Sequence, residues 1–382
     1  MSILTTVGVG MVGHAFMGRA HSQAWRTVGP FFDPPLTPVM AALAGRDAGR
    51  AAAAARTLGW AAAEGDWKQL LRRDDVQIVD ICTPGDAHAE IAVAALEAGK
   101  HVLCEKPLAN SVAEAEAMTA AAERARARGV RSMVGFNYRR VPAVSLARRL
   151  VADGRVGTVR HIRAQYLQDW LVDPAAPFTW RMDRARAGTG ALGDIGAHII
   201  DTAQFVTGHA LAGVSAVMDT FVGERPLPGG GTAEVTVDDA ALFVGRTDGG
   251  ALASFEATRM ATGRKNALRI EVSGSSGALA FDLESMNELW FYDGAQDAET
   301  AGFRRIVVTE PVHPYAGHWW PPGHLLGYEH TFTHQMADFL AAIADGADPS
   351  PSFADGLRVQ RVLAAVEASA ASGGWADVEG SP

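Results

Sequence analysis

The feature that most narrows the fold is a rhythm in the first 136 residues: apolar runs of strand length alternate with helix-patterned segments that glycines close. Ile3–Val9 reads as a buried strand, and a helical pattern follows over about 14–28. Gly29–Pro38 is proline-rich and reads as loop, before a second apolar run at Val39–Ala44 and an alanine-rich helix over 47–58. Val76–Thr83, stopped by Pro84-Gly85, His101–Cys104 and Val130–Phe136 read as further strands. Helical spacing over 86–98 ends at Gly99. The helix of about 111–128 opens on Ser111 followed by Glu114, a capping box, and closes at Gly129. Such alternation predicts a parallel, doubly wound α/β sheet, because parallel neighbours need long crossovers that become helices.

After Pro142 the pattern changes. Val159–Tyr166, Val214–Phe221, Ala240–Arg246, Ala251–Ala257, Asn266–Ser273, Ala278–Leu283, Leu289–Tyr292 and Ile306–Thr309 read as strands of a mostly antiparallel sheet, with helices near 140–152 and 189–207. Helices return at about 326–345 and 355–371. A chain of 382 residues exceeds one ordinary core. The break is expected near 137–142, giving a dinucleotide-binding domain over 1–138 and an α+β substrate and oligomerisation domain over 139–382. The formal net charge of −9 argues against nucleic acid as partner, since a duplex binder needs a basic face. No apolar run reaches the ~18 residues of a membrane span. The N-terminus reads as a strand rather than a signal peptide, and Cys82 and Cys104 form no CxxC pair, which together point to the cytoplasm.

Gly8-Val9-Gly10-Met11-Val12-Gly13 has the G-x-G-x-x-G spacing, leaving a strand and entering a helix. In that context the first glycine permits the turn, Gly10 admits a pyrophosphate and Gly13 lets helix and sheet approach. The second strand ends Ala44-Gly45-Arg46-Asp47, without the acid that usually binds the ribose diol of NAD. Arg46 either stacks on adenine or holds a 2′-phosphate. Asp47 takes the ribose hydroxyls, or either residue is an ordinary turn residue. The expected cofactor is NAD, with NADP as the alternative.

Ligands of such sheets sit beyond the carboxyl ends of the strands, where Cys82-Thr83-Pro84, Cys104-Glu105-Lys106-Pro107 and Phe136-Asn137-Tyr138 arrive. Lys106, between a buried strand and a proline, is placed to hold a substrate hydroxyl; the alternative is an exposed structural lysine. Further on, Gly188–Asp201 (GTGALGDIGAHIID) sets Asp194 and His198 four residues apart on one helix face. A histidine titrates in the range needed to take a hydroxyl proton, and a carboxylate beside it orients it or the substrate. The alternative is a structural Asp–His contact.

Taken together, GVGMVG at 8–13, EKP at 105–107, GFNYR at 135–139 and the 188–201 segment resemble the Gfo/Idh/MocA family of sugar and inositol dehydrogenases over almost the whole chain. The resemblance implies a Rossmann domain followed by a domain with an open, mostly antiparallel sheet that packs into homodimers or homotetramers. It implies that Lys106, Asp194 and His198 are the catalytic set, with His198 as proton acceptor, and that Pro107 follows a cis peptide. Thr83, Pro84, His88, Glu105 and Asn137 would line the nicotinamide side, and Trp180-Arg181 would contact cofactor and substrate. The stretches His14–Gly18, Ala20–Trp25 and Trp319–His324 narrow the likeness to members that oxidise the C3 hydroxyl of a pyranose or of an anhydrosugar such as levoglucosan. Inositol oxidation, keto-sugar reduction and a non-catalytic sugar or dinucleotide sensor are the competing readings.

Tyr166, following the second domain's first strand, and His324 and Tyr328, beside the tryptophans of the tail, are expected to reach the substrate or a subunit contact. His330 and His334 have a spacing that can bind zinc, but no H-E-x-x-H accompanies them, and no metal is expected.

Overall fold

The computed structural model describes residues 5–380. Two compact units emerge: residues up to Asn137 together with Gly327–Leu357, and Tyr138–Leu326 together with the segment from Arg358.

The first unit is built on a six-stranded sheet. Its strands are β1 (Thr5–Val12), β2 (Leu36–Ala44), β3 (Ala62–Glu64), β4 (Ile78–Ile81), β5 (His101–Cys104) and β6 (Ser132–Val134), in the order β3-β2-β1-β4-β5-β6. Every pairing is parallel, the Rossmann arrangement. The crossovers carry α1 (Phe16–Phe32), α2 (Ala48–Leu58), α3 (Trp67–Leu71), α4 (His88–Glu97) and α5 (Val112–Arg126). Ile3 and Leu4 of the expected first strand lie outside the described residues, and the strand runs on to Val12.

The expected loop over 29–38 is corrected. Helix α1 continues through Pro30 to Phe32, and β2 begins at Leu36. Pro30 forfeits one hydrogen bond of the last turn without ending the helix, and Asp33 closes it in the left-handed region at φ 42°. Pro38 sits in β2 opposite Val7, where β3 does not yet pair, so no ladder bond is lost on its free side.

The helix Tyr328–Asp345 returns to this unit, so a single cut at 138/139 leaves out a structural member. Phe332, Met336, Phe339 and Leu340 are fully buried with Val9, Met11, Trp25 and Val28 in one core. Each contributes roughly 1.5–3 kcal/mol by burial.

The second unit carries α6 (Pro142–Ala152), α7 (Arg184–Ala187), α8 (Ala197–Thr207) and a nine-stranded sheet. Its strands are β7 (Val159–Leu167), β8 (Leu211–Asp219), β11 (Ala240–Thr247), β12 (Leu252–Thr258), β13 (Ala267–Gly274), β14 (Gly277–Asp282), β15 (Glu288–Asp293), β16 (Arg304–Val307) and β17 (Ala376–Asp377). The short β9 (Glu224–Pro226) and β10 (Thr232–Glu234) form a separate ribbon. In the order β16-β15-β14-β13-β7-β12-β11-β8-β17, the β7–β12 pairing is parallel and the others antiparallel. Side chains alternate along β11: Phe243 is buried while Leu242 and Val244 are exposed. Helix α8 packs on β7 and β13, and on the other face Val217, Leu242, Val244 and Leu252 are exposed. Among the described residues no helix is long and apolar enough to cross a membrane.

Candidate active site

The strand–turn–helix that receives a dinucleotide is present, five residues later than the motif suggests. Gly8 and Gly10 lie inside β1, paired with Val39 and Ala42. A Cβ on Gly8 would lie 1.7 Å from the Asp75 carbonyl oxygen, and one on Gly10 would lie 2.7 Å from Leu70. Both glycines serve the packing of the sheet on its neighbours. Met11 and Val12 are buried with them and offer no side-chain surface to a ligand. The turn begins at Gly13, whose φ of +100° requires glycine and whose N–H donates to Ala44 O. The glycine that lets helix and strand approach is Gly18, where a Cβ would lie 2.3 Å from Gly13 O. Gly13, Ala15 and Gly18 therefore take the three positions of the fingerprint, with alanine at the second. A second small-residue spacing, Gly13-His14-Ala15-Phe16-Met17-Gly18, was the available signal. No side-chain hydrogen bond caps α1 at Ala15, and its first turn carries no acid that would repel an anion.

At the end of β2, Asp47 is the N-cap of α2: its carboxylate accepts the Arg50 N–H at 3.0 Å. Arg46 is exposed. Above Gly45 sits the His14 ring, so close that a Cβ at 45 would lie 2.9 Å from it. An acid at that position would have to displace the His14 ring.

The carboxyl edge of β4 and β5 carries the other predicted residues of this unit. Thr83, Pro84 and Lys106 are half-buried. The Lys106–Pro107 peptide is cis. His88, 1% exposed, braces the edge, its Nδ1 lying 3.0 Å from Pro107 O and its Nε2 3.0 Å from Thr83 O. It holds the two loops together and has almost no surface for a ligand. Asn137, also buried, donates from Nδ2 to Thr331 Oγ1 at 2.8 Å.

Beneath Lys106 lies an ionic cluster that no motif announces. His21 Nδ1 is 2.9 Å from both Asp80 carboxylate oxygens, and its Nε2 is 3.0 Å from Glu105 Oε1. Trp25 Nε1 donates to Asp80 Oδ2 at 2.7 Å, and Glu105 Oε2 accepts the Lys106 N–H at 3.3 Å. Burial alone would drive the imidazole neutral, but the charge and hydrogen bonding of Asp80 outweigh it and hold the His21 pKa well above the ordinary value. The sequence signal was a histidine and a tryptophan four residues apart on α1, facing an aspartate inside the apolar β4.

In the second unit the Asp194 segment is a π-turn, Leu192–Gly196, that passes directly into α8 at Ala197. Asp194 keeps 25% of its side chain exposed between two guanidinium groups: Arg181 Nε and Arg259 Nη1 lie 3.9 and 3.7 Å from its Oδ2. Arg181 also lies against its neighbour Trp180, 4.5 Å from the ring centroid. The ring of His198 packs on Tyr138 and Tyr166, with centroids 4.6 and 5.9 Å away. Tyr138 and Tyr166 share a 2.8 Å hydroxyl hydrogen bond, and Tyr166 donates to Asn266. This unit thus brings Tyr166 to His198 and Trp180-Arg181 to Asp194. His324 is exposed in a turn, its Nδ1 2.8 Å from Pro321 O. Tyr328 belongs to the first unit, stacked on Phe16 beside the dinucleotide turn and edge-on to Phe332. His330 accepts the Gly327 N–H, whereas His334 is buried against Phe32.

Comparison with known proteins agrees with this construction. Residues 7–136 match the family described as oxidoreductase family, NAD-binding Rossmann fold, and residues 144–280 match the GFO/IDH/MocA C-terminal domain. Levoglucosan dehydrogenase of Pseudarthrobacter phenanthrenivorans is 42% identical over 98% of this chain and 99% of its own. The crystal structure of an oxidoreductase domain protein from Kribbella flavida is 67% identical, with a TM-score of 0.97 over 98% of this chain and 100% of that one. A levoglucosan dehydrogenase structure in complex with NADH and levoglucosan is 42% identical, with a TM-score of 0.94 over 98% and 99% of the two chains. The chain belongs to the Gfo/Idh/MocA family of NAD-dependent oxidoreductases.

Proposed function

We propose that the protein oxidises a secondary hydroxyl, at C3, of a pyranose or an anhydrosugar such as levoglucosan to the ketone, in the cytoplasm. The observation that carries this reading is the likeness to levoglucosan dehydrogenase over 98% of this chain, substrate unit included. NAD, when bound, supplies the nicotinamide ring that accepts the hydride. In the chemistry we assign, a ring nitrogen of His198 takes the hydroxyl proton, and the packed rings of Tyr138 and Tyr166 fix the plane of the imidazole. Lys106 holds the reacting oxygen through its ammonium group. Asp194 orients the sugar and stabilises the imidazolium that forms. Arg181, beside Asp194, supplies a further donor to the sugar, and Trp180 an apolar face.

The test is turnover of Lys106→Ala and His198→Ala on the best substrate from a panel of levoglucosan, glucose, glycosides and myo-inositol, run with NAD and NADP separately. Each variant should lose about 10²–10⁴ in kcat. Wild-type turnover in both overturns the assignment. Levoglucosan or a pyranoside should lead the panel with NAD, and identification of the product ketone by NMR checks the C3 position.

We further propose that the open face of the nine-stranded sheet joins copies of this chain into a dimer or tetramer. The support is its apolar content: Val217, Leu242, Val244, Leu252 and Trp290 stand 67, 44, 53, 52 and 39% exposed. Leu242→Asp should lower the mass measured by light scattering.

A further inference from the structure

The segment that carries Asp194 is held by residues outside every motif. Asp238, 5% exposed, accepts the Gly190 N–H on Oδ1 at 2.6 Å and the Leu192 N–H on Oδ2 at 2.8 Å, and its carbonyl accepts the Ala191 N–H at 3.0 Å. Three successive N–H groups of the turn thus end on one residue. A Cβ at Gly190 would lie 1.8 Å from that carbonyl oxygen, so the turn closes onto Asp238 only with glycine there. The same carbonyl accepts Arg259 Nη2 at 3.1 Å. The Arg259 side chain has no exposed surface, and its Nη1 lies 3.7 Å from Asp194 Oδ2.

We propose that Arg259 is a positioning residue for the dehydrogenation, a buried cation that keeps Asp194 ionised and aimed while tying it to the Asp238 clamp. This rests on the reading of Asp194 as a catalytic group. A cation away from water is not screened as an exposed one is, so Arg259 acts more strongly on Asp194 than Arg181, whose side chain is 37% exposed. Arg181 and Arg259 are charged groups that face Asp194. Arg259 faces the Asp194 carboxylate, the backbone carbonyls of Arg181, Asp238 and Asp239, and the charge of Arg225. A separation of 3.7 Å is an ion pair longer than a hydrogen bond.

The test uses the full-length enzyme with Arg259→Met, which removes the charge at similar volume, Arg259→Gln, which also keeps a donor for Asp238, and Arg259→Lys, which keeps the charge. Whichever of Asp194 and His198 sets the acid limb of the kcat/KM profile, losing a neighbouring cation raises its pKa. The limb should move up by about one pH unit in the Met and Gln variants, with kcat at neutral pH down about tenfold. It should stay near the wild-type position in Arg259→Lys, and NADH affinity measured by fluorescence quenching should change less than about twofold. If the Met variant does not fold, the Gln variant decides. An unmoved limb in the neutral variants overturns the proposal even if the melting temperature drops. Asp194→Asn, assayed in parallel, separates the two readings. Its loss of turnover with an unmoved limb in the Arg259 variants defeats this proposal alone, whereas wild-type turnover in Asp194→Asn defeats both.

Discussion

In the first unit Asp80 and Glu105 are closed off from water around one imidazole, whereas in the second Asp194 keeps a quarter of its side chain exposed between two guanidinium groups. The closed cluster satisfies its polar atoms internally, with His21, Trp25 and the Lys106 N–H as donors. In the open site two guanidinium groups lie 3.7 and 3.9 Å from Asp194, which keeps a wet side. Charges packed away from water stabilise only as a set, and removing one strands the others. A charge with a wet side loses little stability when it is neutralised. The first arrangement fixes a loop and the second keeps a group available for chemistry.

The largest expected effect follows from that difference. His21→Leu leaves two buried carboxylates facing each other with no cation and should cost about 3–5 kcal/mol in urea unfolding. Asp194→Asn leaves Arg259 its hydrogen bond to the Asp238 carbonyl and should cost clearly less than His21→Leu in the same assay while removing turnover. Equal stability losses in the two variants would erase the distinction between the closed and the open site.

How much of this was legible in the sequence differs between the two regions for the same physical reason. The open site is built from close neighbours in the chain, Gly188–Asp201, so its glycines, acid and histidine stand together as a pattern. The closed cluster joins α1, β4 and the end of β5 across 84 residues, and only the fold brings them together. Arg259 and Asp238 went unmarked because a charged residue at a strand end carries no pattern of its own. The strand–helix rhythm identified both sheets. The glycine fingerprint was placed five residues early because two in-strand glycines, needed for packing at Asp75 and Leu70, imitate its spacing. The return of the helix Tyr328–Asp345 to the first unit left no local trace, since an apolar helix face does not say which core it joins.

A half-buried histidine sharpens the comparison within the first unit. Among the described residues His101 has no carboxylate partner. Burial, helped by the charge of Arg131, pushes its pKa down to about 4, and its Nδ1 accepts the Arg131 N–H. His21 and His101 therefore act on stability in opposite directions. The contribution of His21, whose pKa is raised on folding, is complete below the ordinary value of about 6.5 and fades as pH climbs through the folded-state value. His101 binds its proton more readily when unfolded, so stability falls as pH drops from about 6.5 toward 4. Relative to His101→Asn, the wild type should lose about 1–2 kcal/mol between pH 7 and pH 5 in urea unfolding. A pH-independent difference between the two would mean that His101 is not held neutral.

The smallest effect tests whether a charge near the dinucleotide turn belongs to the fold or to the ligand. Asp47 stands where a ribose-binding acid is commonly found, yet its carboxylate is engaged by the Arg50 N–H and is 3.6 Å from the Arg50 guanidinium. That exposed ion pair adds little, so the capping hydrogen bond sets the cost of Asp47→Ala at about 1 kcal/mol. Asp47→Asn, which can still cap, should recover most of it. NADH affinity by fluorescence quenching should be unchanged in both variants if the carboxylate serves only α2. A tenfold weaker affinity in Asp47→Ala that Asn does not restore would instead make Asp47 a ribose ligand, putting it with Asp194 among the groups kept available for ligands rather than with the closed cluster beneath Lys106.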